Sequence, residues 1–195
     1  IHKGLPNIRH ILSGFRIMKT RDRRQGLVLV NTGEGKGKSS SALGMVFRAA
    51  GWGMKVCVIQ YIKGQWQTGE QKAATHFDNI EWHALGDGFT WDTKNPGQDI
   101  KTSREIWEFS KQKILSEEFD MLVLDEINYC CGYNWISGQE IADFILNHKP
   151  RWLHLILTGR NAPPELIEAA DTVTEMTKIK HAYEQGILAE QGVEF

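Results

Sequence analysis

The run Asn31-Thr32-Gly33-Glu34-Gly35-Lys36-Gly37-Lys38-Ser39-Ser40 holds the residue types that bind a nucleotide's phosphates. Glycines let backbone N–H groups approach phosphate oxygens, and a helix opening at the end of the run adds positive potential. Lys38 can set its ammonium against the outer phosphates, and the Ser39 hydroxyl can ligate Mg²⁺, or Mn²⁺ in its place. The spacing departs from G-x-x-x-x-G-K-[ST]: Thr32 stands where the first glycine belongs, and Gly33 follows one residue later. A bare glycine-rich turn is the competing reading, but three alternating glycines with two lysines would be an odd choice for one.

A second acidic element complements this loop. Met121-Leu122-Val123-Leu124 is an apolar run ending in Asp125-Glu126, and a carboxylate at the C-terminal end of a buried parallel strand points into the crevice where such sheets bind ligands. Either acid, Asp125 or Glu126, could hold the metal directly or through water. An Asp-Glu pair in this place also resembles ATPases, in which the second acid orients the attacking water. Thr158-Gly159-Arg160 ends another apolar run, so Arg160 is either a further contact to the triphosphate or an ordinary loop arginine. These features predict an ATP or GTP site; an Arg-bearing lid and a second pocket, as a kinase needs, are not recognisable.

The elements that must position these residues follow from hydrophobic periodicity. Strands are predicted over 27–30, 56–62, 80–84, 121–124 and 152–157, with a sixth over 172–174. Helices are predicted over 39–50, 98–116, 137–147 and 164–170, with Ser137 and Glu140 forming a capping box. Strands alternating with helices give an α/β fold, a mostly parallel sheet with helices on both faces. One core serves the chain of 195 residues.

Lys plus Arg number 23 and Asp plus Glu 24, a net charge of −1 that argues against nucleic-acid binding through bulk charge. No apolar run approaches the roughly 18 to 20 residues of a membrane span. Three cysteines, Cys57 in an apolar run and the adjacent pair Cys130-Cys131, suit a reducing compartment, with the cytoplasm as the default. His76, His83, His154 and His181 share no metal-ligand spacing. Residues 1–24 are set apart as a basic segment with a single acid, Asp22; Ile8, Ile11, Leu12, Phe15 and Met18 recur at helical spacing, so a surface or partner-docking amphipathic helix is expected there, with a targeting peptide or a disordered tail as alternatives. Residues 25–195 form the nucleotide-binding domain.

Gly86-Asp87-Gly88-Phe89-Thr90-Trp91-Asp92-Thr93 sets two aromatics in a polar, glycine-bearing loop, either packed onto the domain or offering a flat apolar face to a ligand. With this loop in place, the chain resembles the P-loop type of ATP:corrinoid adenosyltransferase. The resemblance rests on the ordered set of Gly33 to Ser39, Gln60-Tyr61-Ile62-Lys63-Gly64, Gly88-Phe89-Thr90-Trp91, Leu124-Asp125-Glu126, Thr158-Gly159-Arg160, Val173-Thr174-Glu175 and Ile179-Lys180-His181-Ala182-Tyr183. Glu34 departs from the usual Asn, bringing negative charge to the phosphate loop, and Ser39-Ser40 replaces a Thr pair.

The resemblance implies transfer of the 5′-deoxyadenosyl group of ATP to the Co(I) of a reduced corrinoid, releasing triphosphate. It implies that Phe89 and Trp91 form an apolar wall on the corrinoid's vacated lower face, and that Lys38 assists catalysis. It also implies a homodimer, with a flavin-type reductase supplying electrons. A P-loop ATPase or kinase acting on another acceptor, or a non-catalytic carrier, stays open as an alternative.

Overall fold

Val28-Leu29-Val30, Val56 to Ile59, Met121 to Leu124 and Leu155-Ile156-Leu157 are aliphatic runs without polar alternation, the pattern of strands covered on both faces. The computed structural model describes residues 24–64, 67–86 and 96–194. Each of those runs is a strand. The elements are β1 (Val28–Thr32), α1 (Lys38–Gly51), β2 (Val56–Gln60), α2 (Gly69–Ala74), β3 (Ile80–Ala84), α3 (Pro96–Leu115), β4 (Met121–Asp125), α4 (Ile127–Gly132), α5 (Gly138–His148), β5 (His154–Thr158), α6 (Pro164–Ala169) and β6 (Thr172–Glu175), followed by a 3₁₀ turn, Ala182–Gln185.

The six strands form one sheet in the order β3-β2-β4-β5-β1-β6, with every neighbouring pair parallel. Successive strand residues point to opposite faces, and the core divides accordingly. Cys57, Ile59, Leu122, Leu124, Leu155 and Leu157 pack with Ile106, Trp107, Ile141 and Ile145 of α3 and α5 on one face. Val56, Val58, Met121, Val123 and Ile156 pack with Ala42, Leu43 and Val46 of α1 on the other. Removing such fully buried side chains typically costs about 2–5 kcal/mol, so the sheet is a stiff base for whatever its C-terminal edge carries.

The expected fold class is therefore found, and the boundaries move by a few residues. β1 runs on to Thr32, β2 stops at Gln60, and β5 starts at His154. Two short helices, α2 and α4, go beyond the sequence expectation: six residues hardly exceed one helical period, so no apolar stripe announces them. The capping box is half made. Ser137 Oγ accepts from the Glu140 N–H at 3.0 Å, but the Glu140 carboxylate turns away and accepts from Trp107 Nε1 at 2.9 Å and Arg104 at 2.6 Å. Among the described residues, no helix is long and apolar enough to cross a membrane. The basic segment up to Arg23 and the loop bearing Phe89 and Trp91 lie outside the described residues.

Candidate active site

The C-terminal ends of β1, β2, β4, β5 and β6 meet at one edge of the sheet, and an open cleft of about 600 Å³ lies there. Glu34 to Ser40 line it, with Lys63 after β2, Glu126 after β4, Arg160 after β5, and His181 and Glu194 from the tail. The expected loop residues, Glu126 and Arg160 thus converge on one volume. Arg160 lines the cleft from an exposed loop position.

The phosphate loop ends at Gly37, whose φ of 110° is the left-handed conformation that glycine tolerates. From there α1 begins with no side-chain cap and no acid in its first turn, so its N-terminal field stays open to an anion. Asn31 pins the start of the helix from below, its Nδ2 donating to the Lys38 carbonyl at 3.2 Å and to Ser41 Oγ at 2.9 Å.

Gly33 and Gly35 also make room for a second stretch of backbone. A Cβ at either would stand 2.6 Å from the Met176 carbonyl oxygen. The Gly35 N–H is itself donated to that oxygen at 2.6 Å, and Met176 N–H reaches Thr32 O at 2.8 Å. These two glycines admit the chain leaving β6, so the close approach is of backbone to backbone; the Gly35 amide is committed to Met176.

Four cations stand around the cleft. Lys36 pairs with Glu194, Arg160 lies 3.4 Å from Glu34, and Lys63 lies 3.6 Å from Asp125. Lys38 instead folds onto the loop and donates to the Gly35 carbonyl at 2.5 Å. Partial burial, then the nearby Arg160 charge, holds its pKa below the ordinary lysine value. An incoming polyanion would meet these charges already gathered.

The two acids after β4 differ in kind. Asp125 is fully buried, and both its oxygens are engaged: Oδ1 accepts from Thr158 Oγ1 at 2.7 Å, and Oδ2 from Gln60 Nε2 at 2.9 Å with Lys63 beyond. It braces the ends of the neighbouring strands through Thr158 and Gln60. Glu126 has a left-handed backbone, φ 69°, and its N–H donates to the same Thr158 hydroxyl at 2.8 Å. Its Oε2 is buried with no hydrogen-bond partner among the described residues. Burial first, and Asp125 second, push its pKa up to about 7. Buried carboxylate oxygens are ordinarily hydrogen-bonded, so this one stands out at the edge of the phosphate loop.

Residues 24–195 match the family described as ATP:corrinoid adenosyltransferase BtuR/CobO/CobP. The chain belongs to this family. A corrinoid adenosyltransferase of a Sinorhizobium species is 45% identical over 182 residues, covering 92% of this chain and 85% of its own. One from Pseudomonas aeruginosa is 44% identical over 182 residues, covering 92% and 88%. One from Escherichia coli is 37% identical over 180 residues, covering 92% and 90%. Family membership makes the chain an enzyme, a transferase built on a nucleotide-binding loop.

Of the residues gathered at this edge, Glu194 falls in none of the motifs read from the sequence, whereas Asn31 belongs to the loop run and Gln60, Lys63, Thr158 and His181 to the ordered set. Lys63 and Thr158 follow or end strands at the edge where such sheets bind ligands. Gln60 and Asn31 sit inside strands and look like interruptions of an apolar run. The tail residues His181 and Glu194 come from far along the chain, and only the fold brings them here. One cluster elsewhere departs from expectation: ligand atoms of Cys57, Glu81 and His83 lie within 4.8 Å of one another. Glu81 Oε1 already meets His83 Nε2 at 2.6 Å and Lys113 Nζ at 2.5 Å, so a protein cation fills that place. Burial pushes the Cys57 thiol up to about 12, which keeps it protonated and inert.

Proposed function

We propose that the enzyme transfers the 5′-deoxyadenosyl group of ATP to the Co(I) of a reduced corrinoid, cobalamin or a precursor. Family membership is the observation that carries this reading, and the chemistry of the cleft supports it. The Co(I) electron pair attacks the ribose C5′, a Co–C bond forms, and the C5′–O bond breaks with its electrons passing to the departing triphosphate. Co(I) carries no proton, so no general base is required. The demand falls on stabilising the leaving anion, and the α1 N-terminus, Lys36, Lys38, Arg160 and Lys63 are gathered for that purpose.

Ser39 Oγ and the unpartnered Glu126 Oε2 are hard oxygen donors lining the same cleft, a set that suits Mg²⁺ or Mn²⁺. Ser39 and Glu126 would hold such a dication, which would supply charge neutralisation to the triphosphate. Asp125 orients Thr158 and Lys63, and Thr158 in turn holds the Glu126 backbone in its left-handed turn.

Phe89 and Trp91 supply the apolar wall that replaces the corrinoid's lower axial ligand and excludes water from that face, which raises the Co(II)/Co(I) potential. The working unit is residues 25–195, assembled as a homodimer in the cytoplasm, where a flavin-type reductase delivers the electron. Three free, buried thiols suit that compartment.

The by-product tests the reading. Adenosyl transfer releases inorganic triphosphate in equal amount to the alkylated corrinoid. ADP or orthophosphate in its place identifies a kinase or ATPase instead.

A further inference from the structure

Arg160 reaches the phosphate cleft from the loop after β5, with its side chain 44% exposed and no helix or strand of its own to aim it. Ordering a long side chain on an anion costs rotamer entropy, so its backbone has to be fixed by something else.

Hydrogen bonds fix the loop 158–162 along its length. Thr158 Oγ1 donates to Asp125, Gly159 N–H donates to Asn31 O at 3.2 Å, and Ala162 N–H donates to Thr32 Oγ1 at 3.0 Å. The tie nearest to Arg160 comes from α4, where Asn128 Nδ2 donates to Gly159 O at 3.0 Å. That carbonyl belongs to the peptide unit joining Gly159 to Arg160. Its orientation therefore sets the direction in which the Arg160 backbone leaves.

Asn128 is an expensive residue to keep there. It is fully buried, with Ile127 and Cys130 of the apolar core on the same short helix. Its Oδ1 has no hydrogen-bond partner among the described residues. An aliphatic side chain would avoid the cost of that unpaired oxygen. The Nδ2 bond to Gly159 offsets it, and only the amide's nitrogen end can donate to a carbonyl.

The two residues also touch. A Cβ at Gly159 would stand 2.9 Å from Asn128 Cβ and 3.3 Å from Asn128 N, and the Gly159 φ of 131° suits glycine in any case. The first turn of α4 thus lies directly on the loop. Glu126 immediately precedes that turn, so Asn128 joins the Arg160 loop to the element carrying the unpartnered acid.

We propose that Asn128, buried behind the cleft and out of reach of substrate, is a positioning residue for Arg160. Its amide holds the Gly159–Arg160 peptide so that the guanidinium faces the triphosphate. The inference rests on Arg160 contacting the phosphates, and it does not depend on adenosyl transfer taking place.

A double-mutant cycle tests it. Inorganic triphosphate with Mg²⁺ is titrated by calorimetry, without corrinoid, into wild type, Asn128→Leu, Arg160→Ala and the double variant. Leucine keeps the branching and atom count of asparagine while removing both the donor and the unpaired oxygen; Asn128→Ala, run alongside, controls for overpacking. Arg160→Ala is expected to weaken triphosphate roughly 10- to 150-fold, the range for hydrogen bonds to charged groups. Asn128→Leu and Asn128→Ala are expected to weaken it roughly 3- to 10-fold. In the Arg160→Ala background, Asn128→Leu is expected to change affinity by no more than about twofold.

A residue that merely supports the fold would cost the same in both backgrounds, and that result overturns the proposal. So does unchanged binding in both Asn128 variants, or no loss in Arg160→Ala. The expected coupling in a protein that forms no alkylated corrinoid would sink the proposed reaction and leave the role of Asn128 standing.

Discussion

Thr158 Oγ1 donates to Asp125 Oδ1 at 2.7 Å, inside a sheet edge from which solvent is excluded. The same hydroxyl accepts from the Glu126 N–H. One side chain thus separates the tasks of two adjacent acids: the first is consumed in bracing, the second is left with an unsatisfied oxygen.

That division predicts opposite phenotypes. Asp125→Ala strands Gln60, Thr158 and Lys63 without their acceptor and is expected to lower unfolding free energy by roughly 2–5 kcal/mol. Glu126→Gln removes no protein hydrogen bond and is expected to leave urea unfolding near pH 7.5 within about 1 kcal/mol of wild type or better, while raising the Mg²⁺ concentration needed for half-maximal turnover at least tenfold, or about 1.4 kcal/mol. Urea titrations and Mg²⁺ titrations of the two variants separate the roles. A stable Asp125→Ala protein with the metal defect would reverse the assignment.

The pH dependence of stability follows from Glu126. Its folded pKa of about 7 lies above the ordinary value of 4.5. Between those two values the folded chain keeps a proton that the unfolded chain has released, so this group's contribution to stability falls as pH rises and levels off above pH 7. Glu126→Gln lacks that slope. Relative to wild type it is expected to gain about 3 kcal/mol between pH 4.5 and 7.5, read from urea midpoints across the range. Parallel curves for the two proteins would contradict the buried, proton-holding carboxyl.

Gly35→Ala tests the contact between the loop and the β6 exit. Its Cβ would stand 2.6 Å from Met176 O and 2.8 Å from Thr177 O, backbone atoms that cannot swing aside. A cost of roughly 1–3 kcal/mol is expected, with ATP and inorganic triphosphate both bound more weakly. Gly44→Ala, where a Cβ meets nothing within 4 Å, is the control and is expected to bind both normally.

Phe89→Ala and Trp91→Ala are expected to cripple turnover that starts from Co(II) with a reductant, and to spare most of the turnover with pre-formed Co(I). The two assays, run on the same preparations, report the axial-ligand role directly. Equal losses in both would remove it.

The site's chemistry was legible where local sequence alone decides it. The Gly33–Ser40 loop follows an aliphatic run and opens a helix, and Asp125-Glu126 ends another such run, so both can be placed at a sheet edge from pattern. Ser137 announced its helix by accepting from the third residue on, although the reciprocal bond from Glu140 depended on Arg104 and Trp107, which no local rule foresees. Asp125's saturation was hidden for a similar reason. Gln60 and Thr158 reach it because β4 lies between β2 and β5, and strand order is not written in hydrophobic period. The close approach of Met176 to Gly33 and Gly35 is not legible locally, because Met176 lies about 140 residues further along the chain.

The central claim is adenosyl transfer from ATP to Co(I). It is tested by incubating the protein anaerobically with chemically reduced cobalamin, Mg²⁺ and ATP, and recording the absorbance spectrum before and after illumination. The account predicts an alkylcobalt spectrum that collapses in light. Folded protein that binds ATP yet forms no light-labile product would contradict it.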